Sequence, residues 1–325
     1  MARLVGRPAA VLFHGVEPQT GDPRLQANHH EADAFRAIAL SLKANFDVLP
    51  LSALPDVLAA PDKHQRALFL MSDDGYVNNL TVAAGILEEL HMPWTLFVST
   101  HHIDTAERNP AFVARLFAFY AAAGGYRLPH LKDSVVLADN PGFREIAADR
   151  LLNAMKQLNG PDARHVIVEM IKILKPEKVA ELFLRFRSEE FLNWDQIREL
   201  NKRGVTIGAH AHWHWPLNDS QAESYIQQQV RLPKVRIEAE VGPCTAFAYP
   251  FGNIGDVSRT AWEAVQDAGY SHAFTTLSGS LESEMNPFLL PRYTLGMKEN
   301  RTPSLISLLR AGNSRVLEWQ KTLAA

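Results

Sequence analysis

Apolar residues fall into two alternating patterns along the chain. Short uninterrupted runs occur at Ala9 to Phe13, Ala67 to Met71, Trp94 to Val98, Val205 to Ala209, Ala246 to Tyr249 and Ala273 to Thr276. Runs of this kind, bounded by polar or glycine residues, predict strands buried on both faces. Between them, Phe35 to Leu42, Val77 to Leu90, Gln221 to Glu238 and Ser258 to Ala268 carry apolar residues at helical spacing. Such alternation implies an α/β fold of parallel strands joined by helices. Helix ends are legible too: Asn193 with Gln196 forms a capping-box pattern, and Gly204 follows Asn201-Lys202-Arg203 as a helix-ending glycine.

The stretch from about 101 to 190 breaks this rhythm. It has no clear strand and reads as successive helices, Pro110 to Tyr120, Phe143 to Leu158, His165 to Leu174 and Glu177 to Arg187. A helical insertion is expected there, either a structural cover packed on the strands or a lid or wall that selects substrate. His101-His102 is expected in a solvated loop, and His29-His30 in a loop leading into a helix.

Composition narrows the class. The chain has 325 residues, 46% hydrophobic and 21% charged, as in soluble globular proteins. Its length is compatible with one domain or two. Thirty-three Lys and Arg against 36 Asp and Glu give a net charge of -3, with no run of like charge, so nucleic acid is not an expected partner. The single cysteine, Cys244, excludes an internal disulfide and a thiolate cluster, and is expected to be a small buried or loop residue. No apolar stretch reaches the roughly 18 residues of a membrane span. The opening apolar run meets His14 without a cleavage pattern, which leaves a cytoplasmic protein as the expectation. The oligomeric state is not legible.

Three strand ends carry chemistry. The first is Met71-Ser72-Asp73-Asp74-Gly75-Tyr76. In parallel α/β folds ligands bind at the carboxyl ends of strands. Adjacent carboxylates repel unless a cation or hydrogen bonds separate their roles, and Gly75 permits a turn that aims both inward. The second is His210-Ala211-His212-Trp213-His214-Trp215. Two imidazoles and one carboxylate leave an open position on a metal, as catalytic sites require, and spacing alone allows either His210 with His212 or His210 with His214. The third, Phe247-Ala248-Tyr249-Pro250-Phe251-Gly252, ends in a rigid turn whose backbone N–H could face a developing oxyanion.

Taken in order, these segments resemble the polysaccharide deacetylase family, also called NodB-homology or carbohydrate esterase family 4. The resemblance implies a distorted (β/α) barrel spanning 1–325 as a single domain, with the helical insertion at about 101–190. It makes Asp73 the base, Asp74, His210 and His214 the ligands of a divalent metal, with zinc expected, and the Phe251 N–H the oxyanion donor. Val11-Leu12-Phe13-His14-Gly15-Val16 is similar to the opening of a permuted subgroup that includes poly-N-acetylglucosamine deacetylases. In that subgroup a histidine of the opening strand serves as general acid, which points to His14. No arginine precedes the Pro-aromatic-Gly turn, so Arg292 is the expected substitute for orienting the base. The sequence also departs from the family at Met71-Ser72, where Thr-Phe is usual, at Ala211 and at Trp215.

The resemblance further implies a carbohydrate substrate. Tyr76, Trp213 and Trp215 are candidates for stacking on a sugar, and Tyr249, Pro250 and Gly252 are further candidates for substrate binding. The expected activity is metal-dependent removal of N-acetyl groups from an amino-sugar polysaccharide or its precursor. The alternatives are hydrolysis of a non-sugar amide on the same scaffold, as in allantoinase-like relatives, and an inactive binding module.

Overall fold

A computed structural model describes residues 6–295 and 314–324. Among these residues the main sheet has eight strands, all paired in parallel. Its centre is β1 (Ala9–Phe13), β5 (Ala67–Ser72) and β6 (Trp94–Val98), every residue of which is buried. Beyond β6 the order continues through β9 (Thr206–Ala209), β10 (Ala246–Ala248) and β11 (His272–Phe274). On the other side β12 (Tyr293–Thr294) pairs with β1, and the short β4 (Asp47–Val48) pairs with the start of β5. Leu290, just before β12, bridges Phe274 of β11, so the two edges of the sheet approach without a continuous ladder. This is a distorted, incompletely closed α/β barrel.

Period-two alternation assigns the faces. Val11 and Phe13 point outward to helices, with Phe35, Ile38 and Leu42 of α1 (Ala32–Asn45) packed against them in one apolar cluster. Ala10, Phe69, Met71, Phe97, Ala248 and Phe274 point inward and fill the barrel. Because both faces of each strand meet apolar side chains, the strands read as continuous apolar runs. The expected strands all form, each within about two residues of its expected bounds, as does the capping box at Asn193. Gly204 adopts φ +89°, the left-handed conformation that ends a helix.

The segment between β6 and β9 begins with the short α4 (Thr100–Thr105) and contains the four expected helices: α5 (Pro110–Tyr120), α6 (Pro141–Met155), α7 (Gly160–Leu174) and α8 (Pro176–Arg185). They build a second apolar core, closed by Trp213 and Trp215 from the loop after β9. The expectation of a strandless insertion is corrected: β7 (Gly124–Tyr126) and β8 (Val135–Leu137) form a short antiparallel hairpin. Their glycines and few apolar positions give too little alternation to register as strands. The two histidine pairs are corrected as well. His29-His30 lies in β3 (His29–Glu31), buried and paired with β2 (Gly15–Glu17), and His102 is buried in α4 with its ring stacked on Phe191. Local polarity suggested loops, whereas burial comes from residues distant in sequence.

Candidate active site

The carboxyl ends of β1, β5, β9 and β10 open on one cavity of about 330 Å³. Its walls include His14, Asp73, Asp74, Tyr76, His210, His214 and Phe251. The insertion supplies Asn109, Phe112 and Leu152, so it forms part of the cavity wall as well as a cover.

Strained backbone aims the polar groups inward. Asp74, His214 and Phe251 all have positive φ, at 75°, 42° and 60°, a conformation that costs non-glycine residues roughly 1–3 kcal/mol and clusters at functional sites. Gly75 follows at φ +86°, and a Cβ there would lie 2.9 Å from Val98 Cγ1, so the turn at Asp74 requires glycine. The loop is held from behind: Asp73 N–H donates to the Phe13 carbonyl at 3.1 Å, while Ser72 Oγ and Asn79 Nδ2 both donate to the His14 carbonyl.

Asp74 Oδ1 lies 2.9 Å from His214 Nε2 and 3.4 Å from His210 Nε2, and it accepts no hydrogen bond. A buried carboxylate oxygen without a partner is costly, and two imidazole nitrogens converge on it. Four ligands on zinc at about 2.0–2.1 Å would be separated by about 3.3 Å along each tetrahedral edge, so the spacings fit a shared cation. Each residue offers one donor atom, all within 4.8 Å of one another. His210 Nδ1 faces the Ala248 carbonyl at 2.8 Å, which fixes Nδ1 as the protonated nitrogen and leaves the Nε2 lone pair toward Asp74. The cluster can hold a divalent metal. His212 is turned away, with Nδ1 2.8 Å from Thr100 Oγ1.

Asp73, one residue earlier, is gripped by Arg292. The guanidinium donates Nη1 to Oδ1 and Nη2 to Oδ2, both at 2.7 Å, and its Nε donates to the Thr275 carbonyl at 2.9 Å. Burial opposes ionisation of Asp73, but Arg292 and His210 outweigh it and hold the carboxyl below its ordinary range. Burial likewise opposes ionisation of Asp74, and the two imidazoles bring its pKa well below normal. Burial lowers His14, despite the opposing pull of both aspartates. The Phe251 N–H, in the turn after β10, donates to no group among the described residues.

Several expected contacts are not in the cavity. Trp215 has no exposed surface; its indole packs on Trp213 and Phe251, and Nε1 donates to the Leu158 carbonyl. Tyr249 is also fully buried, its hydroxyl donating to the Phe288 carbonyl. Pro250 and Gly252 do not line the cavity either; a Cβ on Gly252 would meet Thr276 N at 2.9 Å, so this glycine serves close backbone packing. Trp215 and Tyr249 both pack in the core, with their rings against neighbouring aromatic side chains. Tyr76 reaches the cavity, but its ring is stacked on Phe191 at 5.3 Å, so it presents its hydroxyl end.

Other wall residues carry no sequence signature. Glu189, 3% exposed, ends the insertion and faces His29 Nδ1 at 3.4 Å. It is set there by backbone pairing of the return segment with the catalytic loop: Val77 N–H donates to the Glu190 carbonyl and Leu192 N–H to the Gly75 carbonyl. Asn109 is different, since Asn-Pro before an apolar run is a readable helix start. It caps α5 through Oδ1, and its Nδ2 lies 3.4 Å from His214 Nδ1.

Comparison with known proteins agrees with this arrangement. A family model described as polysaccharide deacetylase matches residues 138–273, which include both histidines and the Phe251 turn. No curated protein gives a significant sequence match. Among solved structures, the deacetylase PplD of Streptococcus pyogenes, in complex with acetate, superposes with a TM-score of 0.62 at 13% identity, covering 94% of this chain and 99% of that one. The de-N-acetylase from Aggregatibacter actinomycetemcomitans gives 0.57 at 14%, with 93% and 99% covered. IcaB from Ammonifex degensii gives 0.56 at 14%, with 94% and 98% covered. At such identities the likeness is one of fold. The family model covers the part of the chain that carries both histidines and the Phe251 turn, and the whole chain shares the fold of these deacetylases.

Proposed function

We propose that the protein is a metal-dependent hydrolase that removes N-acetyl groups from an amino-sugar polysaccharide or its precursor. The observation that carries this reading is the unpartnered Asp74 Oδ1 between two imidazoles, beside a second carboxylate held by arginine in the same cavity. Zinc is the proposed ion, since two imidazoles and a carboxylate with a vacant position are its usual catalytic set. When bound, it would lower the pKa of water and polarise the acetamide carbonyl.

Asp73 is the base in this reading. Arg292 keeps it ionised and oriented, so that it takes a proton from the attacking water. The Phe251 N–H donates to the developing oxyanion, and its strained turn holds that donor in place before reaction. His14, in the wall of the same cavity, gives a proton to the leaving amine. The position of His14 at the carboxyl end of β1, with β12 pairing beside that strand, supports the permuted subgroup that resembles poly-N-acetylglucosamine deacetylases.

One observation favours a second reading, a non-sugar amide substrate. The cavity lies near the lower end of the roughly 300–1,000 Å³ usual for ligand pockets, and neither Trp215 nor Tyr249 offers a stacking face. Acetate release from N-acetylglucosamine oligomers, measured beside ring opening of small cyclic amides, separates the two. Asp73→Asn is expected to keep the metal of the cluster and lose at least about 100-fold in turnover, whereas His214→Ala loses that metal. Full turnover in both variants would overturn the assignment.

A further inference from the structure

We propose a second divalent-metal site on the insertion, formed by His130, Asp162 and His165. None of the three lines the catalytic cavity, and each offers one donor atom, all within 4.8 Å of one another. The donor set, two imidazoles and a carboxylate, repeats that of the Asp74 cluster.

The three groups are organised independently of a ligand. Asp162 and His165 stand three residues apart at the start of α7, the spacing that places side chains on one helix face. The N-cap Asn159 accepts from the Asp162 N–H and donates its Nδ2 to Asp162 Oδ2, both at 2.9 Å. That contact occupies one carboxylate oxygen and leaves the other, Oδ1, 3.5 Å from His130 Nδ1, the ring nitrogen opposite the one that faces His165. A ligand carboxylate steadied by such a neighbour is a recurrent feature of metal sites. His130 comes from the hairpin loop between β7 and β8 and holds φ at +63°, a conformation uncommon outside glycine. Its ring lies nearly parallel to that of His165, with Nε2 3.2 Å from His165 Nδ1. The separation of these two nitrogens is close to the roughly 3.3 Å edge expected for ligands on one tetrahedral ion with bonds of about 2.0–2.1 Å.

Two imidazoles select first-row transition ions over calcium or magnesium, with copper(II) above nickel(II) and zinc in intrinsic affinity. His130 and Asp162 side chains are 36% and 33% exposed, so the remaining coordination positions face solvent and no catalytic role follows. A cation here would tie the hairpin loop to the first turn of α7.

The test is metal stoichiometry in the full chain after chelator treatment, titrating zinc and then nickel by calorimetry with thermal melts as a folding control. Wild type is expected to bind two ions. His165→Ala and Asp162→Ala should each bind one, His214→Ala should bind one, and the His165→Ala/His214→Ala double variant none. His130→Gln provides an independent loop-side variant and should also bind one. Two ions in His165→Ala, or none in His214→Ala, would overturn the proposal. Loss of the Asp74 cluster alone has a different signature: one ion in wild type, unaffected by His214→Ala and abolished by His165→Ala.

Discussion

The guanidinium of Arg292 and the carboxylate of Asp73, 219 residues apart, meet through two parallel hydrogen bonds of 2.7 Å with both side chains out of solvent. Phe97 and Phe274 lie beneath the guanidinium, with ring centroids 5.6 and 6.0 Å away, so the pair sits in an apolar floor. Removing one partner of such a pair strands a buried charge. Arg292→Ala is expected to cost about 3–5 kcal/mol in unfolding free energy and to lower turnover, with metal retained at the cluster. Arg292→Lys keeps the charge without the two-pronged grip, so it should recover stability in part and turnover less. Denaturant melts and acetate release on the same preparations check both; an Arg292→Ala protein as stable as wild type would contradict the geometry.

His14 carries the pH dependence expected of the acid. Burial lowers its pKa below the ordinary 6.5, and a cation at Asp74 would push it in the same direction. An acid must be protonated to act, so kcat/KM should fall as pH rises through a value below 6.5. His14→Ala should bind metal normally, lose about 100-fold to 10,000-fold in kcat, and lack that limb. A pH profile unchanged by the substitution removes His14 from the reaction.

Glu189 gives a prediction about stability. Burial raises its pKa well above the ordinary 4.5, and the nearby Asp74 charge adds to the effect. The folded state therefore binds this proton more tightly than the unfolded chain. Its stabilising contribution is complete below pH 4.5 and is lost as pH rises toward the folded-state value. In chelator-treated protein, Glu189→Gln should flatten the fall in melting temperature as pH rises above 4.5 and exceed wild type at the alkaline end. Parallel pH curves for the two proteins would show that Glu189 does not hold the proton.

Trp215 is expected to act through packing. Its indole fills the seam between the loop after β9 and the core of the insertion. Trp215→Ala should cost about 3–5 kcal/mol, seen as a lowered denaturation midpoint. A large rise in KM without loss of stability would restore the substrate-stacking role that the buried ring argues against.

The sequence by itself determined the order of six strands of the main sheet, β1, β5, β6, β9, β10 and β11, and the three strand ends that carry polar chemistry. Those features are local: apolar periodicity reports burial on each element, and Asp73-Asp74-Gly75 or His210 to His214 lie within a single turn. The capping box at Asn193 was legible for the same reason. Only the tertiary structure decided which groups meet. Trp215 looks like a sugar platform in one dimension, but Trp213, Phe251 and the Leu158 carbonyl take up its indole, just as Phe288 takes up the Tyr249 hydroxyl. Glu189 and His29 resemble surface residues until the return segment of the insertion pairs with the catalytic loop. Whether a side chain faces solvent, a cation or another side chain depends on elements far away in sequence, and packing between those elements leaves no periodic trace in either segment alone.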